Sequence, residues 1–122
     1  MNFHFRFFCL FIFCVISFSP SFCYSHSKKV LASAFTDKIG YKDNDLYGGF
    51  YYAELDNGKA LGDLAYMTPM KITWKGRSVV AYKGDIGQGG SEHPIVDIHA
   101  KTLAALGDND PDNFLEEVLI EY

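Results

Sequence analysis

Lys83-Gly84-Asp85-Ile86-Gly87-Gln88-Gly89-Gly90 is followed, after Ser91 to Pro94, by Ile95-Val96-Asp97-Ile98 and then by Ala100, Leu103, Ala104, Leu106 and Gly107. Glycines at 84, 87, 89 and 90 interrupt regular structure and predict a loop over Gly84 to Pro94. Ile95 to Ile98 reads as a short apolar strand carrying one aspartate. Ala100, Leu103, Ala104 and Gly107 fall at helical spacing, which predicts a helix over residues 99–106 that Gly107 ends.

Upstream, Met70 to Trp74 and Ser78 to Lys83 are two strands joined through Lys75-Gly76-Arg77, the best-defined hairpin of the chain. Gly48 to Leu55 is an aromatic-rich strand, and Asp56-Asn57-Gly58-Lys59 is a turn in which Asn-Gly supplies positive φ. Val30 to Thr36 reads as a first strand, Asp37 to Asp45 as a polar loop, and Ala60 to Pro69 as a mixed segment. Downstream, a polar turn at Asp108 to Asp112 and a helical turn at 112–117 lead to a last strand, Val118 to Tyr122. Several short strands with one or two short helices predict a mostly β domain, a small barrel.

The N-terminus holds Arg6, an apolar run from Phe7 to Phe18 and then Ser19-Pro20-Ser21. This is the layout of a cleaved signal peptide, residues 1–25, with cleavage after Cys23 or Ser25. The run is shorter than the ~20 residues a membrane span needs. A lipid-anchored Cys23 would want Leu and small residues before it, where Ser21-Phe22 stand. The expectation is export, to a secreted or periplasmic place, with no membrane span after cleavage and one domain at 26–122.

All three cysteines (Cys9, Cys14, Cys23) lie in or beside that leader, so the domain has no disulfide framework and relies on buried apolar and aromatic surface. Removing Arg6 leaves 10 basic residues against 15 acidic, a net charge of −5, without a basic block. Nucleic acid and anionic membranes are thereby disfavoured as partners.

The stretch from Lys83 to Gly107, with the hairpin before it, resembles the double-psi β-barrel superfamily. That group includes rare lipoprotein A-like proteins, expansins, family 45 endoglucanases and one class of lytic transglycosylase. The shared pattern is Asp-x-Gly, a variable loop, apolar-apolar-Asp-apolar, and a short helix ending in Leu-Gly, here Asp85-Ile86-Gly87, Ile95 to Ile98 and Leu106-Gly107. Ile86 departs from the Arg common in rare lipoprotein A-like proteins, and expansin disulfides are missing. The resemblance covers roughly residues 30–122 and implies a six-stranded double-psi barrel acting on cell-wall polysaccharide, peptidoglycan first.

It also implies candidate catalytic carboxylates. Asp97 matches the strand aspartate that serves as an acid in several relatives, Asp85 the Asp-x-Gly aspartate, and Glu54 a polar position on an upstream strand. Glycosidic cleavage requires a carboxyl of raised pKa to protonate the leaving oxygen; transglycosylation needs one such group, inverting hydrolysis two. The structural alternatives are that Asp85 binds amides of its own loop, that Asp97 fixes the start of the following helix, and that Glu54 is a solvated strand residue. Tyr47, Tyr52 and Trp74 are candidate sugar-stacking residues, with His93 and His99 as further substrate contacts; the alternative for the aromatics is the barrel core, where alternation sends about half of them. Asp97-x-His99 lacks a third well-spaced ligand, so no metal and no cofactor is expected, and His99 can instead open the helix. The expected form is a monomer. The rival readings are a non-catalytic carbohydrate-binding module and a secreted effector or inhibitor that binds a protein.

Overall fold

The computed structural model describes residues 23–89 and 93–122; residues 1–22, most of the proposed leader of residues 1–25, lie outside the described residues. Six strands, β1 (Ser27–Phe35), β2 (Tyr51–Glu54), β3 (Pro69–Trp74), β4 (Arg77–Ile86), β5 (Val96–His99) and β6 (Leu115–Glu121), close into a barrel in the order β1-β5-β2-β4-β3-β6. Two short helices, α1 (Leu55–Gly58) and α2 (Ala100–Ala105), complete it. The mostly β, closed six-stranded barrel is therefore as expected. The β1–β5 and β2–β4 pairs are parallel and the other four antiparallel, an arrangement consistent with the double-psi type.

Alternation along the strands explains the interior. Val30 and Ala32 of β1, Met70 and Ile72 of β3, Val96 and Ile98 of β5, and Val118 and Ile120 of β6 are buried at every second position in one core. Full closure leaves no unpaired sheet edge, which lets a barrel this small hold together without cross-links. Among the described residues Cys23 is free and exposed.

The β3–β4 hairpin turns on Lys75 and Gly76, both at positive φ (47° and 78°), which matches the right-handed twist of its strands. His99 precedes α2 and Gly107, at φ 100°, follows it, as the helical spacing requires. The last strand starts earlier than the sequence suggests, at Leu115, and the turn before it is a single 3-10 turn, Pro111–Asn113.

One boundary is corrected. Gly84 to Ile86 are strand, not loop, because β4 continues in parallel pairing with β2 (Ala53 with Asp85, Glu54 with Ile86). The glycine there serves close packing: a Cβ on Gly84 would come within 2.7 Å of the Tyr51 ring. The register shifts between Tyr52 and Ala53, so Gly84 is an extra residue between the partners of Tyr52 and Ala53. Such a bulge re-aims the side chains beyond it; without it Asp85 would share the face of Lys83.

Candidate functional site

The bulge aligns a row of side chains across four neighbouring strands. Ser33 of β1 is in register with Asp97 of β5, Asp97 with Ala53 of β2, and Ala53 with Asp85 of β4. Asp97 and Asp85 therefore stand two strand spacings apart, ~10 Å at the backbone.

The Ser33 hydroxyl donates to Asp97 Oδ1 at 3.1 Å. Burial pushes the Asp97 carboxyl up to about 6; the Ser33 bond opposes the rise, and the charges of Asp37 and Asp85 add to it. Asp85 is also raised, first by burial and then by Asp37, against hydrogen bonds from the Ile86 and Tyr41 amides. The Ile86 N–H, on the same strand, donates to Asp85 Oδ1 at 2.9 Å. Asp97 does not cap α2. That task falls to His99, whose Nδ1 accepts from the Lys101 N–H at 3.2 Å.

With Nδ1 accepting, the imidazole carries its proton on Nε2 and donates to the Asp37 carbonyl at 2.9 Å. Burial lowers the His99 pKa, so the neutral ring is favoured. His99 is fully buried and both nitrogens are engaged, which corrects its reading as a substrate contact. It holds Asp37, a residue the sequence did not single out, whose carboxylate acts on both other aspartates.

Glu54 also needs correction. It is completely buried, not solvated, because the alternation that sends Tyr52 inward sends Glu54 with it. Its carboxylate accepts from Lys83 Nζ at 2.9 Å and from the N–H groups of Leu61, Asp63 and Leu64 at 2.7, 3.1 and 2.8 Å. Lys83 Nζ donates as well to the Leu64 carbonyl. With its acceptor sites occupied, Glu54 binds the 61–64 segment to the barrel end.

Of the aromatic candidates, Tyr52 is corrected outright: it is fully buried in the core and its hydroxyl donates to the Thr68 carbonyl at 3.0 Å. Trp74 packs edge-on against Phe114 at the tip of the β3–β4 hairpin, with Lys75 Nζ 4.6 Å from the ring centroid. Tyr47 is exposed and packs edge-on against His99 at 4.4 Å. His93, exposed at φ 57°, lines a separate cleft of about 360 Å³ with Asp56, Lys59 and Gln88.

The cleft beside Asp85 is lined by residues that sequence reasoning missed. It encloses about 320 Å³ and is lined by Tyr41, Lys42, Asp63, Leu64, Ala65 and Tyr66 together with Lys83, Asp85 and Ile86. Tyr41 and Tyr66 meet edge-on at 5.9 Å. The tyrosine wall is pressed onto the barrel because Gly40 lies against the Gly84 carbonyl, where a Cβ would collide with backbone.

No protein-family model and no curated protein matches the chain. Among solved structures it is similar to the Streptomyces papain inhibitor, at 13% identity and TM-score 0.56 over 83% of this chain and 97% of the inhibitor. It is similar also to the apo expansin of Clavibacter michiganensis, at 16% identity and TM-score 0.58 over 80% of this chain. The chain spans about half the length of that expansin, 50% of its chain. At these identities the likeness is one of fold.

Among the described residues no helix is long and apolar enough to cross a membrane, and no group of three or more His, Cys, Asp or Glu could hold a metal ion.

Proposed function

We propose that this protein is exported through its first 25 residues and acts on cell-wall polysaccharide, with Asp97 as the proton-donating acid. The observation that carries the reading is Asp97 itself: a half-buried carboxyl raised to about 6, oriented by Ser33 and flanked by Asp85. Near neutral pH such a group is protonated in a useful fraction of molecules, whereas an ordinary aspartate is not.

In the proposed step the Asp97 proton passes to the glycosidic oxygen as the bond from the anomeric carbon to that oxygen breaks. A hydroxyl of the same sugar attacks the anomeric carbon and its proton leaves to solvent or a nearby carboxylate. One acid suffices for this intramolecular transfer. The expansin-like barrel supports polysaccharide as the substrate class, and peptidoglycan is the polymer we put first.

The test is incubation of the purified protein with peptidoglycan and with cellulose, followed by mass spectrometry of the soluble products. Anhydro-sugar fragments are expected from peptidoglycan, reduced about 100-fold or more in Asp97→Asn and less in Asp85→Asn. Trp74→Ala is expected to leave the yield unchanged, because Trp74 packs at the hairpin tip. Full yield from both aspartate variants would falsify the acid role.

A second reading is favoured by one observation: the similarity spans 97% of the papain inhibitor, against half of the expansin. A stand-alone barrel of that kind would bind a protein partner. Stoichiometric inhibition of a cysteine protease, with no glycan products and no co-sedimentation with polymer, would establish that reading. Co-sedimentation without products would instead indicate a non-catalytic carbohydrate-binding module.

A further inference from the structure

We infer that the cleft between Tyr41 and Tyr66 is a subsite for a carboxylate-bearing sugar ring, stacked on the tyrosines with its carboxylate held by Lys42. The inference rests on the polysaccharide reading above and narrows the substrate to acidic glycan. The two rings belong to segments that only the closed barrel brings together. Lys42 Nζ lies 5.6 Å from the Tyr41 centroid and 5.2 Å from the Tyr66 centroid.

Three features point to a ligand and to its charge. Lys42 and Asp43 both hold left-handed backbone (φ 59° and 58°), a conformation that non-glycine side chains disfavour and that persists where its surroundings over-determine it. The close approach of Gly40 to the Gly84 carbonyl holds the start of this segment against the barrel. Lys83, the other cation of the cleft, is committed to Glu54 and the Leu64 carbonyl. Among the described residues no carboxylate lies within ion-pair distance of Lys42, whose ammonium faces the two tyrosine rings instead.

Asp63 and Asp85 line the same cleft and repel an anion. A ring carrying a carboxylate is thereby oriented, with the anion toward Lys42 and neutral hydroxyls toward Asp85. The tyrosine faces take the apolar C–H face of the ring, and the ammonium forms a charge-assisted hydrogen bond. About 320 Å³ lies at the small end of ligand-pocket sizes, suited to one or two sugar rings rather than a long chain segment.

The experiment compares tri-galacturonic acid with its fully methyl-esterified form, measured by calorimetry against the purified protein at low salt. The acid is expected to bind about tenfold tighter, with the preference shrinking as salt rises. Lys42→Asn keeps a residue that tolerates left-handed backbone and is expected to erase the preference. Tyr66→Leu is expected to weaken both ligands. Equal binding of the two forms, a preference that survives Lys42→Asn, or binding of neither form overturns the inference. The peptidoglycan product assay reports on the broader polysaccharide reading separately.

Discussion

Glu54→Gln is expected to destabilise the protein by about 3–5 kcal/mol, a large share of the ~5–15 kcal/mol that holds a domain of this size. Glutamine preserves the shape but removes the anion from a buried pair, stranding the Lys83 ammonium, whose side chain is 6% exposed. Asp63 cannot substitute: it is 3.8 Å away and its own side chain is 82% exposed to water. Glutamine also turns an amide toward three backbone N–H donors that formerly shared a carboxylate. The double variant Glu54→Leu with Lys83→Met should recover only part of the loss. It removes the stranded charge but still leaves the Leu61, Asp63 and Leu64 amides without their acceptor. Urea denaturation measures both variants, and hydrogen exchange at residues 61–64 should accelerate in each. A loss below about 1 kcal/mol in the single variant would mean that something other than this pair holds the cleft wall.

Asp97→Asn is expected to act in the opposite direction, stabilising the protein at pH 7 by up to about 3 kcal/mol. The folded carboxyl titrates at about 6 against an ordinary value of 3.8. Between those values the folded state binds more protons than the unfolded one, so stability falls as pH rises through the window and stays low above it. Asparagine cannot ionise, still accepts the Ser33 hydrogen bond, and escapes that loss. The advantage should therefore vanish below about pH 4 and be complete by about pH 7.

His99 contributes with the other sign. Its folded pKa is lowered from 6.5, so the stability it confers is present above that value and lost as pH falls through the folded one. The variant should keep this acid-side loss while lacking the fall that Asp97 causes. Thermal denaturation from about pH 4 to 8 resolves the two profiles. A less stable variant at neutral pH would show that the carboxylate is a structural asset and not a strained functional group.

The fold was legible where one short segment carries its own instruction. Lys75-Gly76 turns a hairpin whatever surrounds it, and the spacing from Ala100 to Gly107 makes a helix locally. The aspartate pair was legible through motif order, and the barrel places both members in one row. The features that sequence reasoning missed depend on pairings between distant segments. Gly84 to Ile86 looked like loop because their parallel partner, β2, lies some 30 residues upstream. Alternation fixes that Glu54 and Tyr52 share a face but not which face closure turns inward. Tyr41 and Tyr66 come from a polar loop and a mixed segment, and nothing local to either signals that they meet. Asp37 is held at its carbonyl by a histidine 62 residues away, a contact no local pattern encodes.

The direct measurement is a carbon-13 NMR titration of the aspartate side-chain carboxyls in the free protein, with the Asp97 resonance assigned by its loss in Asp97→Asn. A midpoint at about 6 for Asp97 is the predicted result and leaves a proton available for a leaving oxygen near neutral pH. A midpoint near the ordinary 3.8 would contradict the account, since Asp97 would then be ionised wherever the proposed chemistry needs it protonated.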